Sequence, residues 1–175
     1  KMDTLVGVGR SNKVSPRKAA KEAILTALKP LKGEEPDFVF LFTTDIYPPQ
    51  EILAGITPYI GKAQVSGCCG AGVITPEGIF FDSLAIMAIK SRTLSFFNLL
   101  KSGIDKDPRS TGKKVARKLL EKRKELSCPH PFSLVLFPEG FECNINELLY
   151  GFHTVTGSEC YIVGGGSGDN LKYFK

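Results

Sequence analysis

One succession of short patterns occurs twice along this 175-residue chain. The apolar run Phe38-Val39-Phe40-Leu41-Phe42 is followed by Glu51-Ile52-Leu53-Ala54-Gly55, then Gly61, then Val65-Ser66-Gly67-Cys68-Cys69-Gly70. In the second half Ser133-Leu134-Val135-Leu136-Phe137 is followed by Glu147-Leu148-Leu149-Tyr150-Gly151, then Gly157, then Val163-Gly164-Gly165-Gly166-Ser167-Gly168. The offset grows only from 95 to 98 residues, so the order holds and small insertions account for the drift. This predicts an internal duplication of longer period than solenoid repeats, with Gly67 falling on Gly165.

The elements follow from periodicity. Thr4 to Val8 reads as a short buried strand. Ser15 then caps a helix with Pro16 at its first position and an apolar stripe of Ala19, Ala20, Ala23, Ile24, Ala27 and Leu28. Phe38 to Phe42 has no polar alternation, as expected of a strand covered on both faces. A short helix through Glu51 and Ile56 and a strand around Val65 complete a pattern that implies parallel crossovers. From Gly72 the pattern changes: Val73-Ile74, the turn Thr75-Pro76-Glu77-Gly78, and Ile79 to Ile89 read as an antiparallel hairpin appended to the parallel sheet. Upstream of the second copy, Leu84 to Lys90 resembles the first strand, and Lys113 to Leu126 stands where the Ser15 helix stood.

The expected class is therefore α/β: two internally duplicated βαβαβ-type halves with appended antiparallel hairpins, their helices packed on mixed sheets. The first repeat spans residues 1–91 and the second 92–175. The second stops where its final hairpin should gain a partner strand, and the sequence reads as cut from a longer protein.

Charge and cysteine usage narrow the function classes. Between Lys101 and Lys124 ten basic residues face three acidic ones, a local +7 against +5 for the whole chain. Val115, Leu119, Leu120 and Leu126 recur there at helical spacing, so the cations read as the wet face of an amphipathic helix. No aromatics interleave with them, which argues against a nucleic-acid platform. Thr111-Gly112-Lys113-Lys114 is no phosphate-binding loop: Asp107 stands where the earlier glycine is required. Five cysteines without a C-x-x-C fit reduced thiols better than a disulfide framework. No apolar run spans a bilayer and no secretory leader is recognisable, so a cytoplasmic location is expected.

Candidate site residues come from the carboxyl ends of the predicted strands, where open α/β sheets bind ligands. They are Arg10, Ser11, Thr43, Asp45, Cys68 and Cys69 in the first half and Glu139, Ser167 and Asp169 in the second. Arg10 would hold a carboxylate as a bidentate pair, and Asp45 or Asp169 an ammonium, which suits an amino acid. The alternative reading is that Ser11, Thr43 and Asp45 only cap and turn. No catalytic residue is assigned: a nucleophilic Cys68 or Cys69 needs a nearby base, and no cysteine–histidine–acid order is recognisable. No metal site is assigned either, since Cys128, His130, Cys143 and Cys160 have poor zinc spacing.

The apolar strand Phe38 to Phe42, the turn Gly67-Cys68-Cys69-Gly70-Ala71-Gly72 with its hairpin from Val73 to Ile89, and the late pattern Leu148 to Gly151 before Val163 to Asp169 together resemble the FIST sensory domain, specifically its N-terminal part. The resemblance covers nearly the whole chain and rests on the order of short glycine-based motifs. It implies a non-enzymatic sensory module of bacterial or archaeal signal transduction that binds a small molecule such as an amino acid. The implied partners are a C-terminal FIST part and a signalling output domain. Some relatives resemble haem-based nitric oxide sensors, but no family motif falls on His130 or His153, so no cofactor is carried over. A partner-docking module and a thiol-dependent hydrolase are the other readings.

Overall fold

The computed structural model describes residues 3–126, 132–141, 143–157 and 160–169. The chain opens with strand β1 (Thr4–Ser11), helix α1 (Pro16–Leu28) and a 3₁₀ turn at Lys29–Leu31, then β2 (Phe38–Thr43), α2 (Pro49–Ile60) and β3 (Gln64–Cys69). Ser15 is the N-cap of α1 as expected, but its side chain makes no capping hydrogen bond. The fixed φ of Pro16 therefore sets the start of the helix. Ala19, Ala20, Ala23, Ile24 and Ala27 are its buried stripe. They are small because the helix lies directly on β1: a Cβ at Gly7 or Gly9 would collide with the carbonyls of Ala27 or Ala23.

Next come β4 (Val73–Thr75), β5 (Gly78–Phe80) and β6 (Leu84–Ser91). The hairpin expected to run on to Ile89 closes at Phe80 instead. Asp82, at φ 47°, turns the chain, and β6 enters the middle of the main sheet. The order is β1-β6-β2-β3, with β6 antiparallel to both neighbours and β2 parallel to β3. Central placement suits β6, whose Leu84, Ala85, Ile86, Ala88 and Ile89 are all buried. It also means that Leu84 to Lys90 is not the first strand of a second copy, since it completes the first sheet. Leu84, Ile86 and Ala88 of β6 and Val39 of β2 form one core with α1, Ile52, Ile56 and Ile60.

The remaining elements are α3 (Pro108–Glu125), β7 (Phe132–Leu136), α4 (Ile145–Thr156) and β8 (Cys160–Gly164). α3 begins five residues before Lys113, because Asp107 accepts a hydrogen bond from the Ser110 N–H at 2.9 Å and Pro108 takes the first position. β7 and β8 pair in parallel. Ala116, Phe152 and Cys160 are the buried centre, with Val115, Leu119, Phe132, Leu134, Val155 and Ile162 packed around them. The chain divides into two compact units, residues 1–98 with 168–175, and residues 99–167.

The second unit repeats local devices of the first. Arg17, just inside α1, pairs with Glu51 of α2 at 2.6 Å; Arg109, just inside α3, pairs with Glu147 of α4 at 2.8 Å. Gly55 lies against the backbone of Arg17, and Gly151 against that of Arg109. Gly61 and Gly157 end α2 and α4 at φ 56° and 61°. Leu41 stands opposite Gly67, and Leu136 opposite Gly164. The position equivalent to Gly67 is thus Gly164 and not Gly165: a Cβ at either Gly67 or Gly164 would strike the facing leucine carbonyl, whereas one at Gly165 would meet nothing within 4 Å.

Candidate functional site

Two rows of cross-strand neighbours end the first sheet. One runs Ser11, Leu84, Thr43, Cys69 and the other Arg10, Ala85, Phe42, Cys68. Cross-strand partners share a face. Ser11, Thr43 and Cys69 therefore lie on the side covered by α1 and α2, while Arg10 and Cys68 lie on the opposite side. Arg10 and Cys68 are separated by three strand spacings, roughly 14 Å, so the sheet does not bring them together.

Arg10 is held by the β4–β5 hairpin. Its guanidinium carbon stands 3.8 Å from the centre of the Phe80 ring, and its Nε lies 3.9 Å from a carboxylate oxygen of Glu77. That separation is too long for a hydrogen bond, and the buried Nε has no hydrogen-bond partner among the described residues. The sequence placed Thr75 to Gly78 in a turn, but nothing in it signalled that Glu77 and Phe80 fold over Arg10. Such a contact depends on where β6 inserts.

The other predicted residues are placed as follows. Ser11 is buried, and its hydroxyl donates to Glu22, which also pairs with Lys13 at 2.9 Å. The Ser11 hydrogen bond comes first, and Lys13 second, in holding the Glu22 carboxyl below its ordinary range. Thr43 is buried and its hydroxyl donates to the Thr44 carbonyl at 3.0 Å. Asp45 follows with both carboxylate oxygens buried, and it engages other groups of the chain, as does Asp169. The N–H of Gly168 donates to the Cys69 carbonyl at 2.9 Å, which sets Asp169 beside the end of β3. In the second unit Glu139 accepts from the Phe141 N–H, and Ser167 donates from both N–H and hydroxyl to the Pro138 carbonyl. Glu139 and Ser167 form a parallel bridge continuing β7 and β8, and the hydrogen bonds named tie both into that turn.

None of the four described cysteines forms a disulfide. Burial pushes the Cys68 thiol up, and the adjacent Cys69 adds to the shift, so the thiolate is a minor species near neutral pH. His153 lies on α4 with its Nδ1 3.1 Å from the Gly157 carbonyl, while Cys128 and His130 lie outside the described residues. No cluster of three metal-ligating side chains occurs among the described residues. A shallow cleft of about 390 Å³ lies at the other end of the sheet, lined by Asp37, Lys62, Lys90, Ser91 and Phe96 among others. Two of its charges are paired with each other, for Asp37 accepts from Lys90 at 2.8 Å and from the Ser91 N–H at 2.7 Å. Arg10, by contrast, carries a buried donor without an acceptor among the described residues.

Residues 37–175 match the family model of the FIST N domain. The chain belongs to the FIST family. FIST domains are sensory domains of signal-transduction proteins, and this FIST domain falls in that class. The match starts just before β2, so β1 and α1, and with them Arg10, precede the matched segment. A comparison with curated proteins gave no match. No helix among the described residues is long and apolar enough to cross a membrane.

Proposed function

We propose that this FIST domain is a sensory module whose ligand is a small carboxylate-bearing metabolite, an amino acid or a close analogue, with Arg10 as its anion anchor. The observation that carries the reading is the buried Arg10 Nε, which has no acceptor among the described residues although its guanidinium is fixed over Phe80. A carboxylate supplies two acceptor oxygens to a planar fork that is already oriented. Glu77 is 74% exposed, and at 3.9 Å its attraction for Arg10 is weak, so an incoming carboxylate displaces it at small cost. Release of Glu77 then shifts the hairpin that carries it, which supplies a readout for an output domain. Asp45, beyond the end of β2, and Asp169, beside the end of β3, stand strands away from Arg10 on β1, so the reading rests on the carboxylate contact alone.

Binding is favoured over turnover because the Cys68 thiol is held protonated by burial. Calorimetric titration with the twenty standard amino acids and small carboxylates tests the reading. At least one should bind, and Arg10→Ala should weaken it about 10- to 100-fold, the scale of hydrogen bonds to a charged group. A hit indifferent to Arg10 would remove the site. A Soret band on haem reconstitution would replace it with gas sensing.

A further inference from the structure

The net positive charge of the chain sits in one stretch. Residues 101–124 carry +7, which leaves −2 for the rest of a chain of net +5. Within α3 eight residues are basic and two acidic. Three of the basic ones are engaged: Arg109 pairs with Glu147 at 2.8 Å, Lys122 pairs with Glu125 at 2.7 Å, and Arg123 lies over the Phe132 ring at 5.5 Å. Lys113, Lys114, Arg117 and Lys118 form no ion pair among the described residues. Lys114, Arg117 and Lys118 are exposed, and spacings of three and four residues set them together on one face, with Lys113 one turn before Arg117.

The fold does not need these cations. α1 packs on α2 with the same ion pair, Arg17 to Glu51. Counted from Arg17 and Arg109, the burial of the two helices runs in step: Ala19, Ala20 and Ile24 of α1 fall on the buried Thr111, Gly112 and Ala116 of α3. At the same count Glu22, Leu25 and Thr26 stand where α3 has Lys114, Arg117 and Lys118. Like charges one turn apart oppose helix formation, and an anionic partner would relieve that repulsion.

The partner's chemistry follows from what surrounds the patch. A helix face is convex and encloses no small ion. Val115, Ala116 and Leu119 pack into the core of the unit, so they form no apolar stripe for insertion into lipid. α3 carries no aromatic side chain on which bases could stack. Glu121 and Glu125 continue the exposed face, and a uniform sheet or track of phosphates would meet them as well as the cations. A polypeptide can place its carboxylates against the cations alone.

We propose that Lys113, Lys114, Arg117 and Lys118 form a docking surface for an acidic segment of a partner polypeptide. Charge complementarity speeds encounter and selects the partner, and exposed cations make the binding salt-sensitive. A second copy of this chain is disfavoured: of its densest acids, Glu34, Glu35 and Asp37, two are paired with Arg92 and Lys90.

The test uses the full chain and a labelled glutamate-rich peptide. Fluorescence anisotropy should give saturable binding that weakens at least about tenfold between about 0.05 and 0.3 M salt. The triple variant Lys114→Gln, Arg117→Gln, Lys118→Gln should bind at least about tenfold more weakly with an unchanged circular dichroism spectrum. The control Lys18→Gln, Lys29→Gln, Lys32→Gln removes the same charge from the first unit and should change the affinity less than about twofold. Should the α3 variant not fold, lysine acetylation of the unaltered chain decides: the peptide should protect Lys113, Lys114 and Lys118 and leave Lys18 and Lys32 reactive. Absence of saturable binding, indifference to salt, equal loss in both variants, protection of Lys18 and Lys32 instead, or tighter binding to phosphatidylserine vesicles or duplex DNA would each overturn the proposal.

Discussion

Gly164 and Gly165 are neighbours with opposite requirements. A Cβ at Gly164 would enter the Leu136 carbonyl, and its φ of 150° is one that side chains rarely adopt; at Gly165 there is open space. Gly164→Ala should therefore cost about 3 kcal/mol, the joint scale of backbone strain and overpacking, and Gly165→Ala less than about 0.5 kcal/mol. Urea denaturation of both variants measures the difference, and equal midpoints would show the register to be wrong. A run of three glycines announces a close approach, but with no side chains to compare it cannot say which one faces the neighbouring strand. The same limit applies to Arg10. Its basic side chain at a strand end was legible, whereas its Phe80 and Glu77 neighbours come from a hairpin that packs only after β6 is in place.

Among the elements, those built on local chemistry were legible. Pro16 started α1 where expected, and the unbroken apolar run of β2 marked a strand, although Phe40, Leu41 and Phe42 are only partly buried. The position of β6 was not, because its apolar run is equally compatible with a hairpin arm and a central strand; pairing with β1 and β2 selects the second. The helix-to-helix ion pairs and the glycine contacts recur in the two units. Asp37 ties the start of β2 to the end of β6. Burial alone would raise its carboxyl, but the Lys90 and Ser91 hydrogen bonds and the Lys90 charge outweigh it and hold the group below its ordinary value. A depressed folded value stabilises above the unfolded carboxyl's pKa of about 3.9, and the effect is lost as pH falls through the folded value. Asp37→Asn should accordingly lower the melting temperature near neutrality, with the gap from the unaltered chain closing below about pH 4. A gap that persists unchanged into acid would assign the role of Asp37 to something other than charge. On α3, Lys118 lies one turn from both Lys114 and Lys122. Lys118→Glu turns the two repulsions into attractions but turns the attraction of Glu121, three residues on, into a repulsion, so it should stabilise by only about 0.3 kcal/mol at low salt, less at high salt.

At the scale of the molecule, the two units are unequally built. The described core of the first joins fourteen buried residues from both helices and all the inner strands, while that of the second centres on Ala116, Phe152 and Cys160. The first unit's sheet has four strands and the second's has two, with one edge of β7 open among the described residues. Local opening free energy follows buried apolar contact and protected backbone bonds, so the second unit should open well before the first. Native-state hydrogen exchange should find the slowest amides in β2 and β6, which are paired on both sides, and those of β7 and β8 exchanging at a lower opening free energy. Equal protection of β7 and β2 would mean that the second unit draws its stability from contacts other than its small core.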